Sequence, residues 1–285
     1  DEDTSKVFNP LANDSLATSD TYSVSVSSPA NGSAEVSASN QITYTPNGDY
    51  NGTDTFSYTV TQGSNSSTSD VTVTINPVND LPVINVASTL NANENQTTVS
   101  NIGTSDVDTG DTLELSIGGT DASSFSLSSS NDLTFVSAPD YETKTSYSLT
   151  FSLTDGTETV TKTVTVNVIN LNDVAPVISS TTAYSIDENL KAIGTIEVTD
   201  PDGGTFTFTT GGTDGASISI SSSGVMSFVN APDYETKTSY SFTVTVSDGV
   251  NSSSKTFTIT INDLDEIPTR GYEVATSISI IDTKE

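Results

Sequence analysis

The chain of 285 residues contains no cysteine, no histidine and no tryptophan, and it has one methionine. Without cysteine no disulfide can stabilise the fold. Without histidine or cysteine the usual nitrogen and sulfur ligands of zinc are excluded. The lack of histidine also excludes catalytic triads that use an imidazole base. The ligands that remain for metal chemistry are oxygens, and the chain has many of them.

Basic residues are scarce, because Lys and Arg total 8 against 37 Asp and Glu, which gives a net charge of −29 at pH 7. This balance argues against nucleic acid and anionic membrane surfaces as partners, since both would repel the chain. No apolar run is long enough to span a membrane, and the first residues do not resemble a signal peptide. We therefore expect a segment of a longer secreted protein, with no direct membrane insertion and with an affinity for divalent cations.

One string of eleven residues, Ala-Pro-Asp-Tyr-Glu-Thr-Lys-Thr-Ser-Tyr-Ser, occurs at 138–148 and again at 231–241. The offset of 93 residues (231 − 138) is the size of one small domain. The length and this period predict three tandem repeats, followed by a linker and the start of a truncated fourth. The predicted bounds are residues 1–79, 80–172, 173–265 and 266–285.

Apolar residues alternate with small polar residues throughout the three repeats. In the second repeat, for example, Tyr147, Leu149, Phe151 and Leu153 fall on one face of a predicted strand, with Ser and Thr between them. Roughly seven short strands per repeat, separated by turn clusters, are typical of an antiparallel sandwich. We therefore predict an all-β fold of three Ig-like antiparallel β-sandwiches in a linear rod. The regular alternation argues against disorder, which the polar composition would otherwise suggest.

Acidic residues occur at corresponding places in the second and third repeats. The shared string carries an Asp-Tyr-Glu step, which puts a carboxylate on each side of a tyrosine. Upstream lie a Glu-Asn step and an Asp-x-Asp pair, and downstream lies an Asp-Gly turn. The residues are Glu94, Asp106, Asp108, Asp140, Glu142 and Asp155, and then Glu188, Asp200, Asp202, Asp233, Glu235 and Asp248. Because loops lie at the two ends of a sandwich, these acids can gather at its poles.

This ordered set resembles the cadherin repeat, in which the pieces xEN, DxD, DYE or DRE, AxDxG and DxNDNxP follow one another. The resemblance covers residues 80–268 and implies cadherin-like, calcium-binding sandwiches. The first repeat is similar to bacterial tandem repeats marked by Leu-Ala-Asn-Asp, here at 11–14, and by Tyr-Thr-Pro followed by Gly-Thr-Asp-Thr-Phe, here within 44–56. Those repeats build large surface and secreted adhesins. The resemblance therefore implies an extracellular, bacterial cell-surface or secreted protein.

In cadherins the ligands of one junction come from the linker and from both flanking domains. For the junction between repeats two and three, the resemblance implies Glu94, Asp140, Glu142, Asp173 with Asn170 or Asn172, Asp200, Asp202 and Asp248. For the junction between repeats one and two, it implies Asp14, Asp49, Asn79, Asp80, Asp106, Asp108 and Asp155. An incomplete C-terminal site would use Glu188, Asp233, Glu235 and Asp265.

The first junction differs from the second in one ligand. Asn51 stands where the second acid of the Asp-Tyr-Glu step would be, so we expect fewer or weaker ions there. Calcium rather than magnesium follows from the ligands, because crowded carboxylates and carbonyls suit six to eight oxygens at flexible geometry. The segment at 106–111 does not explain the acids as an EF-hand, since it lacks that loop's glycine and its later acids.

We predict that the segment is a calcium-rigidified spacer or adhesion segment, a monomeric rod without enzymatic activity. The pair Asp140 and Glu142 could in principle act as glycosidase acids, but small sandwiches in series offer no cleft. The alternative is a calcium-dependent module that binds polysaccharide or another cell-surface protein, or that self-associates. Sugar platforms usually rely on exposed aromatic residues, and here we expect Tyr22, Tyr184 and Tyr272 to be the exposed ones.

Overall fold

The computed structural model describes residues 1–12 and 21–265. These residues form strands throughout, with two single-turn 3₁₀ helices at Ala122–Ser124 and Gly215–Ser217, so the all-β prediction is confirmed. No helix among them is long and apolar enough to cross a membrane. By internal contacts the chain divides into two compact units. Of the described residues, the N-terminal unit comprises 1–12, 21–140 and 144–168, and the C-terminal unit comprises 141–143 and 169–265.

The first repeat is made of two three-stranded antiparallel sheets. Its strands are β1 (Lys6–Phe8), β2 (Ser23–Val26), β3 (Gly32–Val36), β4 (Ile42–Pro46), β5 (Gly52–Gln62) and β6 (Asn65–Ile75). One sheet has the order β1-β4-β3 and the other the order β2-β5-β6. The rings of Tyr44 and Phe56 stack with centroids 5.8 Å apart, one from each sheet. The core of this repeat therefore lies between the two sheets.

The second repeat has more strands and a larger core. The strands are β7 (Val83–Asn85), β8 (Thr89–Asn93), β9 (Thr98–Asn101), β10 (Gly103–Ser105), β11 (Glu114–Gly118), β12 (Phe125–Leu127), β13 (Asp132–Phe135), β14 (Ser146–Thr154) and β15 (Thr159–Ile169). They form sheets of order β11-β14-β15-β8, β12-β13-β9 and β10-β7. Leu149, Phe151 and Leu153 of β14 are fully buried, as their alternation with Ser and Thr predicts.

The third repeat follows the same plan. The strands are β16 (Val177–Ile178), β17 (Ala183–Asp187), β18 (Ala192–Thr195), β19 (Val198–Thr199), β20 (Thr207–Gly211), β21 (Ile218–Ile220), β22 (Val225–Phe228), β23 (Ser239–Ser247) and β24 (Ser252–Asn262). Their sheets have the order β17-β24-β23-β20, β18-β22-β21 and β16-β19. In the third repeat the structure departs from the predicted antiparallel pairing, because β17 pairs with β24 in parallel. Parallel neighbours need a long crossover, which the strands between them provide.

The shared string positions an ion pair in each of the two longer repeats. Lys144 Nζ binds the Asp121 carboxylate and lies 4.4 Å from the centroid of the Tyr147 ring. The other oxygen of Asp121 accepts the Ser148 N–H at 2.7 Å. The ammonium group, followed by this amide, holds the pKa of Asp121 below its usual value. The same contacts recur in the third repeat with Asp214, Lys237, Tyr240 and Ser241.

Among the described residues, aromatic side chains pack into the sandwiches rather than forming an exposed platform. Tyr184 packs against the core of the third repeat, with its ring 6.4 Å from that of Phe257. The prediction that Tyr184 is exposed is therefore wrong. Tyr22 is half-buried, and Tyr272 lies outside the described residues.

Candidate metal centre

Loop carboxylates gather within the N-terminal unit at the linker between the first two repeats. In each of three groups, one carboxylate oxygen per residue lies within 4.8 Å of the others. The groups are Glu2 with Asp80 and Asp108, Asp3 with Asp49 and Asp80, and Asp106 with Asp108 and Asp111. Because Asp80 and Asp108 are shared, the seven residues form one continuous set, which we call the first acidic cluster.

Backbone amides fix the orientation of these carboxylates. The Asp80 N–H donates to Asp108 Oδ2 at 2.7 Å, and the Asp108 N–H donates to Asp106 Oδ1 at 3.1 Å. The Val78 N–H donates to Glu2 Oε1 at 2.6 Å. The linker is therefore held by an acid from the repeat before it and an acid from the repeat after it.

Asp155 of the late Asp-Gly turn also contacts this linker. Its Oδ2 accepts the side-chain amide of Asn79 at 3.1 Å, and its Oδ1 accepts the backbone N–H groups of Thr157 and Glu158. The Glu158 amide and then the Thr157 amide hold the pKa of Asp155 below its usual value. Asp155 is therefore kept charged beside the first acidic cluster.

Two carboxylate oxygens of the first acidic cluster are buried and have no hydrogen-bond partner. They are Glu2 Oε2 and Asp106 Oδ2. Glu2 is only 2% exposed, so water cannot replace the missing donor freely. A buried anionic oxygen without a donor is costly, and a bound cation removes that cost.

Desolvation and neighbouring like charges raise the pKa values of two acids in this cluster. For Asp80 the causes are desolvation and then the carboxylates of Asp49, Asp3, Asp108 and Glu2. The pKa of Asp111 is raised by desolvation and then by Asp108, Asp106 and Asp155. Among the described residues, the two ion pairs involve Lys144 and Lys237 and lie outside the cluster. The cluster therefore carries negative charge that no lysine or arginine pairing within the described ranges offsets.

The C-terminal unit contains a second acidic cluster made of Glu142, Asp173 and Asp202, whose carboxylate oxygens lie within 4.8 Å of one another. Asp202 Oδ2 accepts the N–H groups of Asp173 at 3.0 Å and Val174 at 2.9 Å. The Val174 amide is the largest cause of a lowered pKa at Asp202. Asp202 Oδ1 is buried without a partner, like Glu2 Oε2.

Neighbouring loops of the C-terminal unit add further unpartnered oxygens. Asp200 Oδ1 accepts the Asp202 N–H at 3.0 Å, which leaves its Oδ2 buried and unpartnered. Asp248 Oδ1 accepts the N–H groups of Val250 and Asn251, and its Oδ2 is also buried without a partner. The Asn251 side chain donates to Asn172 at 3.4 Å. Asn170 Oδ1 of the linker is also buried without a partner.

The C-terminal acidic cluster of Glu188, Asp233 and Glu235 differs, because the oxygens of Glu188 and Asp233 have protein donors. Glu188 Oε1 accepts the Leu264 N–H at 2.9 Å and Oε2 accepts the Tyr234 N–H at 2.8 Å. Asp233 accepts the Thr236 hydroxyl, which is the largest cause of its lowered pKa. Asp265 is exposed and belongs to none of the acidic groups found among the described residues. This end of the C-terminal unit therefore shows no buried carboxylate oxygen without a partner within the described ranges.

The remaining predicted ligands are placed as follows. Glu94 is 1% exposed and lies in the N-terminal unit with Asp140. The Asn95 N–H donates to the Pro139 carbonyl at 2.9 Å, which brings the Glu94 turn beside the loop that carries Asp140. Asn51 is exposed, and Asp14 lies outside the described residues. The assignment of Glu94 and Asp140 to a calcium site stays a prediction.

Glu2, Asp3 and Asp111 were not predicted as members of the site from the sequence. A signal for Glu2 was present, since one period of 93 residues before Glu94 reaches position 1 (94 − 93), next to Glu2. The structure establishes the equivalence by hydrogen bonds. The Glu2 N–H donates to Asn76 O and the Glu188 N–H donates to Asn262 O, and both pairs are 74 residues apart (76 − 2 and 262 − 188). Asp111 gave no signal, because it lies outside the repeated motifs.

The donor set fits calcium. In the described residues, six buried side-chain polar atoms lack a hydrogen-bond partner, and all six are oxygens of acidic or asparagine residues at these loops. Calcium takes six to eight oxygen ligands from carboxylates and carbonyls, at flexible geometry. Magnesium prefers a small octahedron with retained waters, which suits a crowded carboxylate set less well.

The sequence profile of the bacterial Ig domain family matches residues 1–76, 79–167 and 172–262. Chitinase A of Pseudoalteromonas piscicida is 32% identical over 199 residues, which cover 67% of this chain and 23% of the enzyme. The chain thus spans about a quarter of the length of this curated relative.

Solved structures of cadherin domains are similar in fold. Protocadherin gammaB7 EC3-6 superposes with a TM-score of 0.58 at 22% identity, over 85% of this chain and 66% of that chain. Mouse cadherin-23 EC22-24 gives a TM-score of 0.57 at 18% identity, over 86% of each chain. Human protocadherin-24 EC1-2 gives 0.58 at 19% identity, over 66% of this chain and all of that chain. The prediction of tandem Ig-like and cadherin-like sandwiches is confirmed at the level of the fold.

Proposed function

Since the chain belongs to the bacterial Ig domain family, we propose that it is a calcium-rigidified spacer of an extracellular protein, of the kind found in adhesins. One observation carries the proposal: every buried side-chain polar atom without a partner in the described ranges is an oxygen of the acidic loops. Bound cations would supply these oxygens with the partner that the protein does not provide. Bacterial Ig domains are typically structural or adhesive modules, and we assign no catalytic role to this segment.

Charge repulsion explains why the spacer would depend on calcium. Two unit charges about 5 Å apart repel by roughly 3 kcal/mol at an effective dielectric constant near 20. The seven carboxylates of the first acidic cluster cannot stay together at that cost without counterions. Three calcium ions would supply a charge of +6 against −7. Ions bound there would tie the linker, through Asp80, to the acids of both flanking repeats.

Calorimetric titration of calcium into chelator-treated protein tests the binding. We expect several ions to bind with micromolar to sub-millimolar affinity and the melting temperature to rise. The double variant Asp200→Asn with Asp202→Asn removes two carboxylates that carry unpartnered oxygens, so it should lose part of the binding. A control with the same charge change is Asp70→Asn with Glu197→Gln, since both residues are exposed. No heat and an unchanged melting temperature in the unmodified chain would contradict the proposal.

Small-angle scattering tests the mechanical part of the proposal. We expect removal of calcium to increase flexibility and to broaden the distribution of interatomic distances, because the linkers lose their bound ions. Re-addition of calcium should restore the original curve. If calcium binds and yet the scattering curves with and without chelator coincide, the ions stabilise single domains and the rigid-spacer part of the proposal is wrong.

A second candidate follows from the similarity to part of a chitinase. The segment could belong to a secreted enzyme that degrades a polysaccharide, either as a spacer or as a calcium-dependent carbohydrate-binding module. Co-sedimentation with insoluble chitin, with calcium and with chelator, distinguishes these roles. Retention on chitin only with calcium would favour the binding module, and no retention in either buffer would favour the spacer.

A further inference from the structure

The first repeat lacks one acid that the other two repeats have. Asn51 follows Asp49 and Tyr50, where the later repeats have Glu142 and Glu235. Both glutamates belong to acidic clusters, whereas Asn51 is exposed and has no carboxylate. On this comparison alone, the first acidic cluster would be one carboxylate short.

Asp3 brings a carboxylate to the same cluster from a different part of the chain. It follows Glu2 just as Asn95 follows Glu94 and Asn189 follows Glu188. These three residues share a left-handed backbone, with φ of 60° at Asp3, 61° at Asn95 and 67° at Asn189. Both Asn and Asp tolerate this conformation, so the backbone does not require a carboxylate at position 3.

The position of the Asp3 side chain shows where this extra charge is directed. Its carboxylate lies within 4.8 Å of those of Asp49 and Asp80, and Asp3 Oδ1 accepts the Asp49 N–H at 3.3 Å. Asp49 begins the step that ends with Asn51. The additional acid therefore lies beside Asp49, the first acid of the step that lacks its second acid.

A second observation points to a cation at this place. Glu2 is 2% exposed, its Oε2 has no hydrogen-bond partner, and its carboxylate lies within 4.8 Å of Asp80 and Asp108. In the third repeat the equivalent oxygen of Glu188 accepts the Tyr234 N–H. In the first repeat the corresponding Tyr50 N–H donates to Asn47 O instead, at 3.3 Å. The buried oxygen of Glu2 is thus left facing the cluster without a donor.

We propose that Asp3 is a calcium ligand that replaces the glutamate missing at position 51 and restores the affinity of the first acidic cluster. The inference rests on the proposed function, because it assigns a ligand to a calcium site. It replaces the expectation of fewer or weaker ions, since the acid lost at Asn51 is supplied by the turn after Glu2. The pair of residues at positions 3 and 51 then determines how tightly this cluster binds calcium.

The test is calcium titration of the full chain with three variants and one control. Asp3→Asn keeps the residue type found at positions 95 and 189, so the turn is preserved. This variant should bind one ion about tenfold more weakly, or lose it, because ligand charge sets calcium affinity. Adding Asn51→Glu to Asp3→Asn should restore the affinity. Asn51→Glu alone should match or exceed the unmodified chain, and Asp70→Asn, exposed on β6, should behave like the unmodified chain.

The outcomes separate this inference from the proposed function. If Asp3→Asn binds like the unmodified chain while Asp200→Asn with Asp202→Asn loses ions, calcium binding stands and the role of Asp3 is wrong. If Asp3→Asn weakens binding but Asn51→Glu does not restore it, Asp3 contributes to binding without replacing the glutamate missing at position 51, and the inference is wrong. If the unmodified chain binds no calcium, both proposals are overturned.

Discussion

At the scale of single residues, Asp121 and Asp214 explain why the repeated eleven-residue string extends beyond its Asp-Tyr-Glu step. Each accepts a lysine ammonium and a backbone amide from the string, and that lysine also lies over a tyrosine ring of the same string. The lysine, the second tyrosine and the serine that follows it therefore have structural roles. Only the first part of the string contributes to the acidic loops.

This arrangement predicts a pH dependence of stability that does not depend on calcium. The pKa values of Asp121 and Asp214 are lowered in the folded protein, from an ordinary value of 3.8, by the lysine partners and then the amides. A lowered folded-state pKa gives stability that is present above the ordinary pKa and is lost as the pH falls through the folded-state value. In calcium-free buffer we expect the melting temperature to fall steeply below about pH 4.

The matched variant is Asp121→Asn with Asp214→Asn. It should melt lower than the unmodified chain at neutral pH, and its melting temperature should fall less below pH 4. Thermal unfolding followed by circular dichroism at several pH values measures both effects. Parallel pH curves for the two proteins would contradict the assigned role of these aspartates.

The site could be predicted only in part from the residues. Asp80, Asp106, Asp108, Asp200 and Asp202 were identifiable because they belong to motifs in fixed order. Glu2 and Asp3 were not predicted because the first repeat lacks the Glu-Asn step, and the hydrogen bonds and φ angles establish the equivalence that the repeat period indicates only to within one residue. Which oxygen of a carboxylate lacks a donor depends on neighbouring backbone amides, and no sequence pattern gives that.

At the scale of strands and turns, the alternation of apolar and polar residues predicted which face of a strand is buried, but not which strands pair. The buried residues of β14 and β23 follow from a period of two, which fixes the side of the sheet. Pairing depends on where the chain returns, so the parallel neighbours β17 and β24 could not be predicted from the pattern. The short strands β16 and β19, of two residues each, are also too short to show a period.

Gly32 of β3 provides a test of how tightly the first repeat is packed. A Cβ atom there would lie 2.5 Å from the Thr45 carbonyl oxygen and 2.8 Å from the Tyr44 ring. That ring is buried, and its hydroxyl donates to Asp54 at 2.9 Å. Because neither neighbour can withdraw without breaking this packing, Gly32→Ala should lower the free energy of unfolding by about 1–3 kcal/mol.

Gly48→Ala is the control for this experiment, because a Cβ atom at Gly48 meets nothing within 4 Å. Urea denaturation in calcium-free buffer compares the two variants. Equal midpoints for Gly32→Ala and Gly48→Ala would show that β3 and β4 separate more easily than the structure indicates.

At the scale of the whole molecule, the net charge of −29 makes stability depend on ionic conditions. In the absence of calcium, monovalent salt should partly take over its stabilising effect, because salt screens repulsion between the carboxylates beyond about 10 Å at 0.1 M. We expect the melting temperature in chelator to rise with sodium chloride. With saturating calcium the rise should be smaller, because the ions already offset the charge of the acidic loops. An equal effect of salt in both buffers would place the destabilising repulsion elsewhere on the surface.

The parallel pairing of β17 with β24 has a consequence for a protein under tension. Ala183 lies opposite Thr258 and Asp187 lies opposite Asn262, so the chain enters this pair at one end and leaves it at the other. A pulling force applied through the two linkers of the third repeat therefore loads the pair in shear. All of its hydrogen bonds then resist the force together instead of opening one after another. The rate of forced unfolding is set by the free-energy barrier to breaking this pair. Such a repeat is suited to bearing load along the direction in which its chain runs.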